Sequence, residues 1–133
     1  MRAPQPGASV FEVSIEYSFS AGHALRDYKG KSENTHGHNY KVRVSVEGED
    51  LDSTGLLVDF LDLRDAVKSI VDRFDHQFLN EVAPFDKLNP SAENIARYFS
   101  DELASQVNEN GARLQAVTVW ETETSFATYR PGR

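Results

Sequence analysis

The chain has 133 residues, no cysteine and a formal net charge of −7, with a pI near 5.0. Without cysteine, disulfides, thiolate metal ligands and a cysteine nucleophile are excluded. The acidic balance and the lack of a lysine and arginine cluster argue against a nucleic-acid or anionic-membrane partner. No apolar run of about 18 residues or signal peptide is visible, so we expect a cytoplasmic protein. The length predicts a single domain over residues 1–133, with flexible segments at 1–9 and 130–133.

Two segments near the N-terminus alternate polar and apolar residues, which is typical of half-buried strands. The first runs from Val10 to Phe19 and the second from Tyr40 to Val46. The polar segment 26–35 between them predicts a loop. We therefore expect the two strands to form an antiparallel pair.

Two segments with helical spacing of apolar residues follow. One helix is predicted at 60–74 with Asp59 as its N-cap, and another at 92–108 with Ser91 as its N-cap. A strand is predicted at 114–122, with an extension of the sheet at 125–129. This order favours an α+β fold with a sheet of about four antiparallel strands and two helices on one face. Its open edge favours oligomerisation.

Three of the four histidines lie within residues 23–38. His36 and His38 are two apart, so on a strand they share a face. With His23 they would form a three-histidine set with an open fourth position, as in catalytic zinc sites. Copper, iron and nickel also suit imidazole ligands. The alternative is that these are ordinary strand histidines at half-buried positions.

Two further positions carry candidate chemistry. Asp75 precedes His76, an arrangement suited to proton transfer. The alternative is that His76 is a favourably placed histidine at a helix C-terminus. Glu121 is in phase with Val117 and Val119 and is therefore predicted to point toward the apolar face. A carboxylate there needs partners, and a ligand with paired N–H donors would supply them. The alternative is an exposed glutamate at the strand end.

Together these residues resemble the 6-pyruvoyltetrahydropterin synthase family, which includes the 6-carboxytetrahydropterin synthases. The resemblance covers about Val13 to Tyr129, and its motifs are His23, His36-Gly-His38, Leu57-Val-Asp59-Phe, Asp75-His76-x-x-Leu-Asn80, Pro90-Ser-x-Glu93-Asn94 and Trp120-Glu121-Thr122. It implies the tunnelling fold, with trimers that close into a β-barrel and pair into a homohexamer.

The resemblance also implies site roles. Zn²⁺ would be bound by His23, His36 and His38. Glu121, together with Thr122, would bind a small-molecule pterin substrate. Asp75 and His76 would form a proton relay, in a pocket shared between subunits.

One position departs from the synthase pattern. Members that make 6-pyruvoyl- or 6-carboxytetrahydropterin place a catalytic cysteine where this chain has Ser32, and a hydroxyl is a far weaker base than a thiolate. Instead, Glu33-Asn-Thr-His36-Gly-His38 is similar to the Glu-x-x-His-Gly-His signature of the type III subgroup. Members of that subgroup convert 7,8-dihydroneopterin triphosphate to 6-hydroxymethyl-7,8-dihydropterin for folate biosynthesis.

We therefore expect a zinc-dependent lyase with Glu33 as its base. One alternative is a 6-carboxy- or 6-pyruvoyl-tetrahydropterin synthase in which Glu33 or Ser32 replaces the thiol. Another is a non-catalytic pterin- or purine-binding member. Arg26, Lys29 and Lys31 lie in the neighbouring loop, where they would meet substrate phosphates or simply be solvated.

Overall fold

The computed structural model describes residues 6–29, 34 and 36–132, with only the backbone of His36. Two helices cover one face of a five-stranded sheet whose strand order is β3-β1-β2-β4-β5. The strands are β1 (Phe11–His23), β2 (His36–Gly48), β3 (Gln77–Phe78), β4 (Arg113–Trp120) and β5 (Phe126–Tyr129). The helices are α1 (Phe60–Val71) and α2 (Ala92–Val107).

The predicted antiparallel pairing of the first two strands is confirmed. β1 and β2 pair from Phe11 opposite Gly48 to His23 opposite His36. The apolar residues of both strands face the helices because side chains alternate across a strand. Their buried members join the inner faces of both helices in one core, which includes Phe19, Tyr40, Val44, Val67, Ile95 and Phe99. This long ribbon carries the histidines to one end of the sheet.

Both predicted helices are present, with the predicted caps. The Asp59 side chain accepts a hydrogen bond from the Leu61 N–H, and the Ser91 side chain accepts one from the Asn94 N–H. Such caps satisfy N–H groups that the first turn leaves without partners. α1 ends at Val71 rather than at residue 74 because the next residues form a turn. Phe74, within this turn, is still buried in the core.

The expected four-stranded antiparallel sheet is wrong in two respects: the sheet has five strands, and it is mixed. β3 pairs in parallel with β1, placing Gln77 beside Ala21 and Phe78 beside Gly22. Two residues are too few to produce an alternating pattern, so this strand has no signature in the sequence. β5 pairs with β4 after the turn at 121–125. This pairing is the extension of the sheet that was predicted at residues 125–129. Oligomerisation stays a prediction.

The helices of the described residues are too short and too polar for a membrane span.

Candidate functional site

Two predicted zinc ligands and the predicted pterin anchor lie together at one end of the sheet. Glu121 Oε1 is 3.0 Å from His23 Nε2 and 3.9 Å from His38 Nε2. The two imidazole rings stack with centroids 4.8 Å apart. His23 is buried, with 2% of its side chain exposed, whereas Glu121 is 33% exposed. The Glu121 carboxylate therefore lies near a buried imidazole, that of His23, and a more accessible imidazole, that of His38.

Strand register explains this convergence. His23 ends β1, and His38 lies opposite Ala21 in the β1–β2 ladder. β4 pairs Trp120 with Lys41 of β2, so Glu121 follows directly beside the Tyr40 and His38 end of that strand. The Glu121 N–H donates to the Ser125 carbonyl in the turn that leads to β5. Three adjacent strand ends thus contribute one side chain each.

The donor set fits a divalent cation such as zinc. Among the described residues, His23, His38 and Glu121 each offer one ligand atom, and these atoms all lie within 4.8 Å of one another. Imidazole nitrogens and carboxylate oxygens bind zinc at about 2.0–2.2 Å, so small side-chain shifts would close this set around one ion. The backbone of His36 pairs with His23, but the side chain of His36 lies outside the described part of the structure. Whether His36 or Glu121 supplies the third ligand is therefore a testable choice.

Tyr40 is a site residue that the sequence analysis missed. Its hydroxyl forms a hydrogen bond with His23 Nδ1, the ring nitrogen directed away from Glu121. Tyr40 is fully buried and lies two residues beyond His38 on β2. Its spacing of two residues from His38 places both side chains on the same face of the strand and could have indicated this role. In an alternating strand, however, an aromatic residue is ordinarily interpreted as part of the core.

Asp75 and His76 form an acid–imidazole pair in the turn after α1. Asp75 Oδ2 is 3.2 Å from His76 Nδ1, and the His76 side chain is 80% exposed. The Ser20 N–H donates to Asp75 Oδ1 at 2.9 Å, and the His76 N–H donates to the Ser20 carbonyl. These two bonds fasten the turn to β1. His76 has a φ of 60°, a left-handed conformation that is uncommon outside glycine and frequent at functional sites.

The same contacts set the ionisation of Asp75. Chiefly the hydrogen bond from the Ser20 N–H, and secondarily the neighbouring His76, hold the pKa of Asp75 below its usual range, although burial acts in the opposite sense. Asp75 is therefore a carboxylate near neutral pH. It can accept a hydrogen bond from the His76 ring and orient it.

A groove of about 430 Å³ is lined by His76 of this pair and by His38 of the histidine cluster. Gly22 and Gly37, which face each other across the β1–β2 ladder, both line this groove. The lining residues are Ser20, Ala21, Gly22, Gly37, His38, Asn39, His76 and Gln77. A molecule that filled the groove would therefore lie beside both His38 and His76.

Asp75→Asn should change how stability depends on pH. Because the folded-state pKa of Asp75 is lowered, its ionisation stabilises the fold above the unfolded-state pKa of about 3.9, and this contribution is lost as pH falls through the folded-state value. Asparagine keeps an oxygen to accept the Ser20 N–H but does not titrate. Urea unfolding at several pH values should show the wild type more stable at pH 6 and the difference disappearing in strong acid. An unchanged difference at every pH would contradict this assignment.

One interpretation of the sequence made Arg26 a ligand for substrate phosphates. In the structure its guanidinium is instead bound by the protein itself. Its guanidinium donates to four backbone carbonyls of the segment after β3, at 2.8–3.4 Å: those of Asn80, Phe85, Asp86 and Leu88. The Asn89 side chain also bonds both the N–H and the carbonyl of Arg26. These contacts hold the chain that follows His23.

Asn80 bonds the backbone of Ala24 in the same way that Asn89 bonds the backbone of Arg26. Its side chain accepts from the Ala24 N–H at 2.9 Å and donates to the Ala24 carbonyl at 2.7 Å. We call these contacts of Arg26, Asn80 and Asn89 the backbone clamp. Asn80 lies in a sequence motif, but its role could not be predicted because its bonding partner is 56 residues away.

Several predicted residues lie elsewhere. The predicted base Glu33, together with Lys31 and Ser32, lies outside the described residues. Lys29 lies at the end of the described turn, with its ammonium 5.2 Å from the Tyr28 ring centroid. Thr122 is in the exposed turn after β4, where its hydroxyl accepts from the Thr124 N–H at 3.3 Å. Its assignment to substrate binding stays a prediction.

Comparison with known proteins identifies the family. Residues 12–132 match the profile of the family described as 6-pyruvoyl tetrahydropterin synthase. The chain belongs to this family. The match covers both helices, four strands completely and all of β1 except its first residue.

Individual members of the 6-pyruvoyl tetrahydropterin synthase family carry different names. The chain is 33% identical to the 6-carboxy-5,6,7,8-tetrahydropterin synthase of Haemophilus influenzae, across 91% of this chain and 99% of that protein. It is 34% identical to the dihydroneopterin monophosphate aldolase of Pyrococcus furiosus, across 78% of this chain and 83% of that protein. The structure of the Caenorhabditis elegans 6-pyruvoyl tetrahydropterin synthase superposes with a TM-score of 0.82 at 28% identity, covering 94% and 98% of the two chains. Family membership alone does not select one reaction.

Proposed function

We propose that the chain is a zinc-dependent lyase that converts 7,8-dihydroneopterin triphosphate to 6-hydroxymethyl-7,8-dihydropterin, a precursor for folate biosynthesis. The observation that carries this proposal is a site without sulfur: the chain has no cysteine, and Glu33 precedes the His36-Gly-His38 pair. The aldolase name of the Pyrococcus furiosus relative supports carbon–carbon cleavage within this family. The arrangement of His23, His38 and Glu121 supports metal binding beside a pterin site.

In this proposal His23, His36 and His38 hold the zinc ion. Bound zinc supplies Lewis-acid activation of the substrate's side-chain hydroxyls. The burial of His23 and its stacking against His38 limit the movement of both rings, so the protein presents preformed nitrogen donors.

Glu33 would act as the general base. It removes the proton of the hydroxyl on the second side-chain carbon, the bond between the first and second carbons breaks, and its electrons pass into the dihydropterin ring. The second carbon leaves as the aldehyde of a phosphorylated two-carbon fragment. The first carbon, still attached to the ring, then takes up a proton. No oxidant or reductant is needed.

His76 would supply that proton. It lies on the groove that also contains His38, and Asp75 Oδ2, 3.2 Å from His76 Nδ1, orients its ring. The pair is accessible to solvent through the exposed His76 ring, so the proton can be replaced after each turnover.

Glu121 would bind the pterin ring through paired N–H donors, since an ionised carboxylate accepts two hydrogen bonds side by side. In the structure its Oε1 contacts His23 Nε2. Pterin binding would therefore replace this contact with hydrogen bonds to the ring. At 33% exposure, Glu121 is accessible enough to make that exchange.

A second candidate is a 6-carboxy- or 6-pyruvoyl-tetrahydropterin synthase in which Glu33 or Ser32 replaces the thiol. The Haemophilus influenzae relative favours it, because its match extends over nearly the full length of both proteins. This reaction requires removal of a proton from carbon, which is a different task for the base.

A product assay separates these functions. The purified chain is incubated with dihydroneopterin triphosphate or with the corresponding monophosphate, with and without a chelator, and the pterins are separated by chromatography. The proposal predicts 6-hydroxymethyl-7,8-dihydropterin, with loss of turnover after zinc removal and recovery on zinc addition. A tetrahydropterin with an oxidised side chain would establish the second candidate. Tight pterin binding without any product would establish a non-catalytic member.

A further inference from the structure

We propose that Tyr40 is a positioning residue for the metal ligand His23: its hydroxyl holds the His23 ring through Nδ1, so that Nε2 is presented to the cation. This inference rests on the proposed function, because it takes His23 to be a zinc ligand. It adds a residue that neither the motifs nor the family relationship assigns to the site.

Tyr40 is itself held rigidly. It is fully buried, and its ring stacks on Phe19, its partner in the β1–β2 ladder, with centroids 5.1 Å apart. The His38 ring packs edge-on against it at 5.7 Å, and the His23 ring is tilted against it at 5.9 Å. The hydroxyl therefore has a fixed position in the core, next to both histidines.

The two ring nitrogens of His23 have different partners. Nδ1 bonds to the Tyr40 hydroxyl, and Nε2 lies 3.0 Å from Glu121 Oε1. A neutral imidazole carries its proton on one nitrogen only, and the nitrogen that binds a metal must be the other one. With a cation on Nε2, the proton is on Nδ1 and is donated to the Tyr40 oxygen.

A tyrosine hydroxyl suits this role because it both donates and accepts hydrogen bonds. Without metal, the hydroxyl can donate to Nδ1 while Nε2–H donates to Glu121. With metal, Nδ1–H donates to the hydroxyl instead. The ring can thus change tautomer without moving, and the neutral partner adds no second charge to a buried position.

Tyr40→Phe tests the proposal, because it keeps the stacked ring and removes only the hydroxyl. The full-length variant and the wild type are titrated with Zn²⁺ in competition with a chelator, and urea unfolding of both metal-free proteins checks their folding. We expect Tyr40→Phe to bind zinc about 10- to 100-fold more weakly, the range typical of losing a hydrogen-bond partner of a metal-bound histidine. Zinc binding as tight as in the wild type would overturn the proposal.

Tyr98→Phe is the matched control. The Tyr98 hydroxyl accepts a hydrogen bond from the Arg73 guanidinium, and the Tyr98 ring packs edge-on against Phe74 and Phe85. Among the residues that the structure describes, no hydrogen bond or ring contact joins Tyr98 to a histidine. This variant should bind zinc as the wild type does. A loss of affinity equal to that of Tyr40→Phe would show a general packing effect and overturn the specific role.

Nitrogen-15 NMR of histidine-labelled, zinc-loaded wild type gives a second measurement that does not depend on any variant folding. We expect the His23 signal to show zinc on Nε2 and a slowly exchanging proton on Nδ1. Zinc on Nδ1 would overturn the role of Tyr40. If the wild type binds no zinc, the proposed function itself loses its metal. If the wild type binds zinc and Tyr40→Phe binds it with the same affinity, only the role of Tyr40 is refuted.

Discussion

Glu33→Gln should lower kcat for side-chain cleavage by about 100- to 10,000-fold, the usual contribution of a general base. Glutamine has nearly the same shape, but it cannot accept the hydroxyl proton. Zinc content should stay at the wild-type level, because Glu33 is not among the proposed ligands. Turnover is measured from product formation under saturating substrate, and zinc by metal analysis of the same preparation.

Glu109→Gln serves as the matched control for this variant. Glu109 is exposed and follows α2 by two residues, so its loss of charge should leave turnover unchanged. Full activity in Glu33→Gln would remove Glu33 from the mechanism. In that case Ser32 becomes the residue to examine.

His36→Ala should abolish tight zinc binding, whereas Glu121→Gln should retain zinc and lose pterin affinity. Removing a direct ligand should lower zinc affinity by more than about 100-fold, the upper range for removing only the hydrogen-bond partner of a ligand. Loss of hydrogen bonds to the Glu121 carboxylate should weaken pterin binding by about 10- to 100-fold, as expected for charge-assisted bonds. Chelator competition measures the first affinity and pterin fluorescence the second.

The opposite result would be equally informative. Zinc kept by His36→Ala and lost by Glu121→Gln would mean that His23, His38 and Glu121 hold the ion, the set whose ligand atoms lie within 4.8 Å of one another. His76→Ala is the control that removes a histidine outside the proposed ligand set. It should bind zinc as the wild type does, because His76 is 80% exposed and pairs with Asp75.

The parts of the fold that depend on local pattern were predictable from the sequence. The alternation through Val13, Ile15 and Tyr17 predicted β1, and the caps at Asp59 and Ser91 marked the starts of both helices. These signals are local because each depends on the geometry of one element. The phase of Glu121 with Val119 likewise predicted the face on which it lies.

Features that depend on distant partners were not predictable in the same way. The two-residue strand β3 exists because β1 offers a free edge beside the turn at His76. Arg26 looks like a loop cation in the sequence, but the fold surrounds it with carbonyls from residues 54 to 62 positions away. Its chemistry therefore follows from tertiary contacts that no local window contains.

The backbone clamp has a consequence for variation in this enzyme. Arg26, Asn80 and Asn89 fix the chain just after His23, and the β1–β2 ladder fixes it again from His36 onward. A change of chain length before Glu33 should therefore leave both anchors, and with them His23 and His38, in place. A change between Glu33 and His36 would instead alter the spacing of the proposed base from the histidine pair.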